Sequence, residues 1–200
     1  RIVAYDRAGN SDEADPPAAE TAPEASTVID LAAPVVTDNQ AGDDTWRNSG
    51  GTAYNADFSA TGASNLDTAQ YKVTAGPGQT GEVLKDWTTI ASAIGAASYT
   101  ADWTVDFAAL KSSFNYVSAR VWTVAGTTAT ASDVFHVKKD TSPPAALDNQ
   151  AGDNTWRKAA GTLYNVDFQD PLSLLANVQY SASSAQGSAS GNLVPWTNIA

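Results

Sequence analysis

An all-β fold, made of small antiparallel β-sandwiches in tandem, is what this 200-residue sequence predicts. Three observations carry that prediction. The first is an internal repeat: Asp38 to Arg47 read DNQAGDDTWR and Asp148 to Arg157 read DNQAGDNTWR, identical except at Asp44 and Asn154 and spaced by 110. A period of that length belongs to arrays of small domains. The second is alternation of period two with an aromatic face, the mark of a half-buried strand. In GTAYNADF, Thr52, Tyr54, Ala56 and Phe58 fall on one face, and Thr162, Tyr164, Val166 and Phe168 repeat it. The third is a regular recurrence of turn residues, at the spacing of a sandwich.

Taken in order, Arg1 to Asn10 (RIVAYDRAGN) is a short strand running into an Asp-Arg-Ala-Gly-Asn turn. Ser11 to Ser26 is acidic and rich in Pro and Ala, without a base, and predicts an extended, mobile linker. Residues 1–29 thus read as the last strand of a preceding unit plus a linker. Residues 30–140 read as one complete unit of seven antiparallel strands. After GTAYNADF come an inner face of Ala69, Tyr71 and Val73, a Gly76-Pro77-Gly78 loop, and strands at Val83 to Ile90, Ser98 to Val105, Asn115 to Val124 and Thr128 to Val137. Phe107 to Leu110 is the one helical turn expected. The predicted core is Tyr54, Phe58, Tyr71, Trp87, Trp103, Val121 and Phe135. Thr141-Ser142-Pro143-Pro144 is a stiff joint. Residues 141–200 read as the first half of the next unit: Tyr180 matches Tyr71, Trp196-Thr197 match Trp87-Thr88, and Ile199-Ala200 match Ile90-Ala91.

The DRAGN turn after a strand, the Asp140-Thr141-Ser142-Pro143-Pro144 joint and the spacing from Leu110 to Tyr116 resemble bacterial immunoglobulin-like and fibronectin type III-like tandem repeats of large, adhesin-like surface proteins. That resemblance implies immunoglobulin-like sandwiches, a tyrosine corner at Tyr116 and a secreted or bacterial cell-surface location.

Composition bounds the function. Hydrophobic residues make up 42%, with six Trp, seven Tyr and five Phe, enough for a folded core. A net charge of −11 argues against nucleic acid, whose phosphates need clustered Lys and Arg. No Cys is present, so neither disulfide nor thiolate chemistry is available. The lack of Met fits a processed product or a piece of something longer. No apolar run of about 18 residues predicts a membrane span.

Polar candidates favour structure over chemistry. His136, the only histidine, sits in an alternating strand and reads as a strand-surface residue. Asp102 with Asp106, or Asp57 with Asp167, are not selected by spacing as a glycosidase pair. Calcium needs several oxygens, and Asp30, Asp38 and Asp43 with their copies Asp140, Asp148 and Asp153 would supply them at the unit joints. Turn capping by the same carboxylates is the simpler role. Trp46-Arg47 and Trp156-Arg157 suggest a sugar-stacking platform, but recurrence in both copies favours a structural role.

The expected function is therefore a non-enzymatic structural or adhesive spacer in a long extracellular tandem-repeat protein, forming part of a surface fibre or filament. Its partners are neighbouring repeats, with the glycan or protein ligand open. The alternative is a carbohydrate-binding accessory module of an extracellular enzyme. The half unit exposes an aromatic face, and two explanations follow: the chain is a window of a longer array, or the head strand of one copy completes the tail of another by strand addition. The first is the simpler.

Overall fold

The computed structural model describes residues 3–8, 11–13, 28–40, 45–150, 155–187 and 193–199. Among them the chain is nearly all β, with several sheets and a single 3-10 turn, Phe107–Ala109. No helix of these residues is long and apolar enough to cross a membrane.

At the head, β1 (Val3–Tyr5) pairs antiparallel with β2 (Ser11–Glu13). The Asp6 carboxylate accepts the Ala8 N–H at 2.8 Å and shapes the turn. The acidic stretch expected to be linker throughout therefore opens as a strand. Ladder hydrogen bonds come from the backbone, so Ser11-Asp12-Glu13 can pair despite their charge.

Next come β3 (Val35–Asp38), β4 (Trp46–Arg47), β5 (Ala53–Tyr54), β6 (Ala56–Ser59), β7 (Leu66–Gly76) and β8 (Thr80–Ala91). They are followed by β9 (Ser98–Tyr99), β10 (Trp103–Thr104), β11 (Ser113–Thr123) and β12 (Thr128–Lys139). A five-stranded sheet runs β4-β12-β11-β7-β8, a three-stranded one β3-β6-β9, and β10 pairs with β5. The core fills the space between their inner faces. Tyr54 stacks on Phe135 at 4.5 Å between centroids, Tyr71 on Trp103 at 5.5 Å, and Trp103 also meets Phe135. The Trp103 indole N–H donates to the Ala56 carbonyl at 3.0 Å, so its one polar atom is satisfied inside. Every buried hydrophobic among the described residues lies between Tyr54 and Val137.

Four expectations need correction. Ten strands, β3 to β12, stand among the described residues of 30–140, where seven were expected, because the predicted strands break into short pieces at Asn55 and between Tyr99 and Trp103. Trp87 is not in the core. The β7–β8 ladder slips at Tyr71/Val73, so Thr88 stands opposite Tyr71 and Trp87 turns to the outer face. The sheet is not wholly antiparallel, because β4 joins β12 in parallel register, Lys138 with Trp46. Finally, Tyr116 is no corner residue. Alternation along β11 buries Asn115, Val117, Ala119 and Val121 and turns Tyr116 outward, where it pairs with His136. Asn115 makes the tie instead: its side-chain amide donates to the carbonyls of Lys111, Ser113 and Val137, and its oxygen accepts the Lys111 N–H.

The tail holds β13 (Ala145–Asp148), β14 (Val166–Gln169), β15 (Gln179–Ala182) and β16 (Val194–Asn198), paired as β13–β14 and β15–β16. Their registers copy the earlier ones. Val36 faces Phe58 and Ala146 faces Phe168; Tyr71 faces Thr88 and Tyr180 faces Thr197. The bulge recurs too, since Val73 opposite Lys85 becomes Ala182 opposite Val194.

Candidate functional site

Turn geometry decides what the aspartates do. Asp38 accepts the Gln40 N–H and Asp148 the Gln150 N–H, each at 2.8 Å, as a side chain caps its own turn. Beside them Asn39 donates to Asp57 and Asn149 to Asp167, both at 2.8 Å, so these outer-face carboxylates pin neighbouring strands. Asp30 reaches further. Its carboxylate accepts the Ser64 N–H at 2.6 Å and the Ala32 N–H at 2.9 Å, and these two donors hold its carboxyl below the ordinary carboxylate range. A Cβ at Gly62 would collide with that carboxylate, which explains glycine there.

Asp140 repeats half of this arrangement. It accepts the Ser142 N–H at 2.9 Å, but its other oxygen is buried without a hydrogen bond. Asp43 and Asp153 lie outside the described residues. Among the described residues no group of three or more carboxylates, histidines or cysteines comes together as a metal cage. The chemistry these four carboxylates perform in the structure is turn capping.

Of the aromatic candidates, Trp46 lies on the outer face of the five-stranded sheet, together with Trp87 and Trp122, whereas Trp156 stands fully exposed in the tail. The Arg120 guanidinium lies 4.1 Å from the Trp87 ring centre and 4.6 Å from that of Trp122. It also donates twice to the Gln70 side-chain oxygen, at 2.9 and 2.7 Å. The cation thus lies against both rings. At the far edge Trp46 packs edge-on against Phe114 at 5.7 Å, with Lys138 above both and His136 beside Phe114. Trp46 is thus an outer-face clamp rather than a core residue. Sequence reasoning missed Arg120. The available signal was Arg120-x-Trp122 on one strand, which places both side chains on the same face.

Lys85 and Asp106 pair at 2.7 Å across the rim of the core. That contact, a hydrogen bond first and a charge attraction second, holds the Asp106 carboxyl below and the Lys85 ammonium above their ordinary ranges. The Asp106 N–H also donates to the Tyr71 hydroxyl at 3.1 Å, so the pair ties a loop to the core rather than facing a cleft. Asp102 takes no part in it.

The remaining feature is an open apolar trough of about 780 Å3 in the tail. Tyr164, Val166, Phe168, Val178, Tyr180 and Ile199 line it. At the spacings of the repeat these are the counterparts of Tyr54, Ala56, Phe58, Ala69, Tyr71 and Ile90. No protein-family model and no curated protein matches the chain.

Proposed function

We propose that this chain is a structural spacer segment of a long extracellular tandem-repeat protein, built of immunoglobulin-like β-sandwich units and serving a surface fibre or adhesive stalk. The observation that carries the proposal is the recurrence of pairing registers, bulge included, at the spacing of the sequence repeat. One unit of about 110 residues, used again, is how an array gains length. The polar chemistry is consistent with that role, since Asp30, Asp38, Asp140 and Asp148 fasten turns. Of the outer-face tryptophans, Trp87 and Trp122 favour it over the carbohydrate-binding alternative, because the Arg120 cation lies against both rings. The extracellular and surface assignment rests on the resemblance to adhesin-like repeats.

Force spectroscopy on a concatenated polyprotein of residues 30–140 tests the mechanical role. A spacer unit unfolds as discrete force peaks, each releasing on the order of 370 Å of chain. Extension without peaks would remove the proposal. Retention on a polysaccharide matrix that is lost on Trp87→Ala would move the assignment to the carbohydrate-binding alternative.

A further inference from the structure

We infer that the segment from Asp30 to Arg47 and strand β12 form a mechanical clamp, which holds the complete unit closed against force passing through it, with Asp30 and Lys139 as rivets at its two ends. The inference rests on the spacer proposal above, which has load enter at one end of the unit and leave at the other. Where the chain enters and leaves sets the geometry. At the entry the Ala32 carbonyl accepts the Thr127 hydroxyl at 2.9 Å, one residue before β12 begins. At the exit the Asp140 N–H, one residue past the end of β12, donates to the Arg47 carbonyl at 2.9 Å. The segment from Ala32 to Arg47 therefore runs beside β12 from its start to its end. With 12 residues in β12 at about 3.3 Å each, entry and exit stand about 40 Å apart.

The direction of each strand decides how the load is carried. β4 and β12 run the same way, with Trp46 opposite Lys138 and Arg47 opposite Lys139. A pull from ahead of Asp30 draws β4 towards the entry, and a pull from beyond Asp140 draws β12 towards the exit. The strands must slide past each other, so their contacts share the load and give way together. Strands separated from one shared end would instead open one contact at a time. β3 lies in the same path, and its ladder to β6 runs from Val35 opposite Ser59 to Asp38 opposite Ala56. Hydrogen bonds of an antiparallel ladder stand across the strands, so this pull shears them too. Trp46, packed edge-on against Phe114 with Lys138 above both, keeps β4 seated on the sheet.

The two ends of the clamp are fastened alike, with opposite charges. Asp30 accepts two backbone N–H groups, that of Ala32 in its own segment and that of Ser64 in the loop after β6. Lys139, the last residue of β12, donates to two backbone carbonyls before β11, Phe107 at 3.0 Å and Leu110 at 2.8 Å. Each is an ionised side chain at an end of the clamp that holds backbone from another part of the unit. Hydrogen bonds to ionised groups are about twice as strong as neutral ones, which suits the points where load enters and leaves. Beside the first rivet the Thr61 hydroxyl donates to the Ala33 carbonyl at 2.7 Å.

The sequence holds no Cys, so introduced cysteines give unique attachment points for single-molecule force spectroscopy on the 200-residue chain. Handles at Val28→Cys and Pro143→Cys load the clamp in shear. Handles at Ser49→Cys and Pro143→Cys pull β4 and β12 apart from their shared end. All three positions are exposed. The shear peak is expected to exceed the peeling peak by about twofold or more, since forced rupture reports the unfolding barrier. In the shear geometry Asp30→Ala and Lys139→Met are each expected to lower the peak. Arg120→Lys, away from the clamp, is expected to lower stability in urea and leave the peak unchanged. Equal forces in the two geometries would overturn the clamp and leave the spacer unit standing. So would a shear peak untouched by Asp30→Ala and Lys139→Met, or one lowered as much by Arg120→Lys. Extension in shear without any peak would remove the spacer reading as well.

Discussion

Tyr54 and Tyr164 stand at the same place in two copies of one sequence pattern, yet the first is 1% exposed and the second 61%. Tyr71 and Tyr180 differ likewise, 5% against 48%. The ladders beneath them have the same register, and the turns beside them have the same capping bonds. The difference lies in what sits above: β11, β12 and Trp103 cover the first copy, and the trough of the second stays open. Register is therefore a local property, written in alternation, bulge and Asx turns. Burial is non-local and depends on a hairpin some fifty residues further along the chain, the longer-range part of the fold.

The comparison can be broken most sharply at its matched tyrosines. Tyr54→Ala removes a buried ring stacked on Phe135 and is expected to cost about 3–5 kcal/mol in urea unfolding of the complete unit. Tyr164→Ala at low protein concentration is expected to stay within about 0.5 kcal/mol. Equal costs would mean that the two faces are equally covered. Next in size is Asn115→Ala, which leaves three carbonyls without the donor that joins them and is expected to cost about 1–3 kcal/mol in the same assay.

Smaller effects sharpen the outer face. Arg120→Lys keeps the charge but loses the planar group against Trp87 and Trp122 and the paired hydrogen bonds donated to Gln70, for about 0.5–2 kcal/mol. A fluorescence change of the two indoles should accompany it. The smallest effect belongs to the half-exposed Lys85–Asp106 pair. The Asp106 folded value lies below its ordinary 3.8, so its contribution is present above pH 3.8 and is lost as pH falls through the folded value. Lys85 is raised above 10.5, so its share is present below that pH and is lost as pH rises through its folded value. Asp106→Asn should flatten the acid limb of a stability profile for residues 30–140.

How far the sequence alone reached follows the same division between local and non-local. The alternation at Thr52 to Phe58, the strands at Thr128 to Val137 and the helical turn at Phe107 were legible because period two and turn residues are local signals. Trp87 was misplaced because a bulge between paired strands leaves no trace in the period of either one. β2 was hidden by its acids, since composition does not report a backbone ladder. The parallel pairing of Trp46-Arg47 on β12 joins segments about ninety residues apart, and no short pattern announces it. Of the candidate site, the turn aspartates were readable from Asp and Asn beside Gly. The Arg120 stack was not, because it needs three strands side by side.

Amide hydrogen exchange on the dilute 200-residue chain tests most directly whether the two copies share register but not cover. The amides of Tyr71 and Val73 on β7 should exchange only with global unfolding of the complete unit, while those of Tyr180 and Ala182 on β15 should exchange far faster through local opening. Equal, high protection at both pairs of positions, at concentrations where the chain is monomeric, would contradict the account.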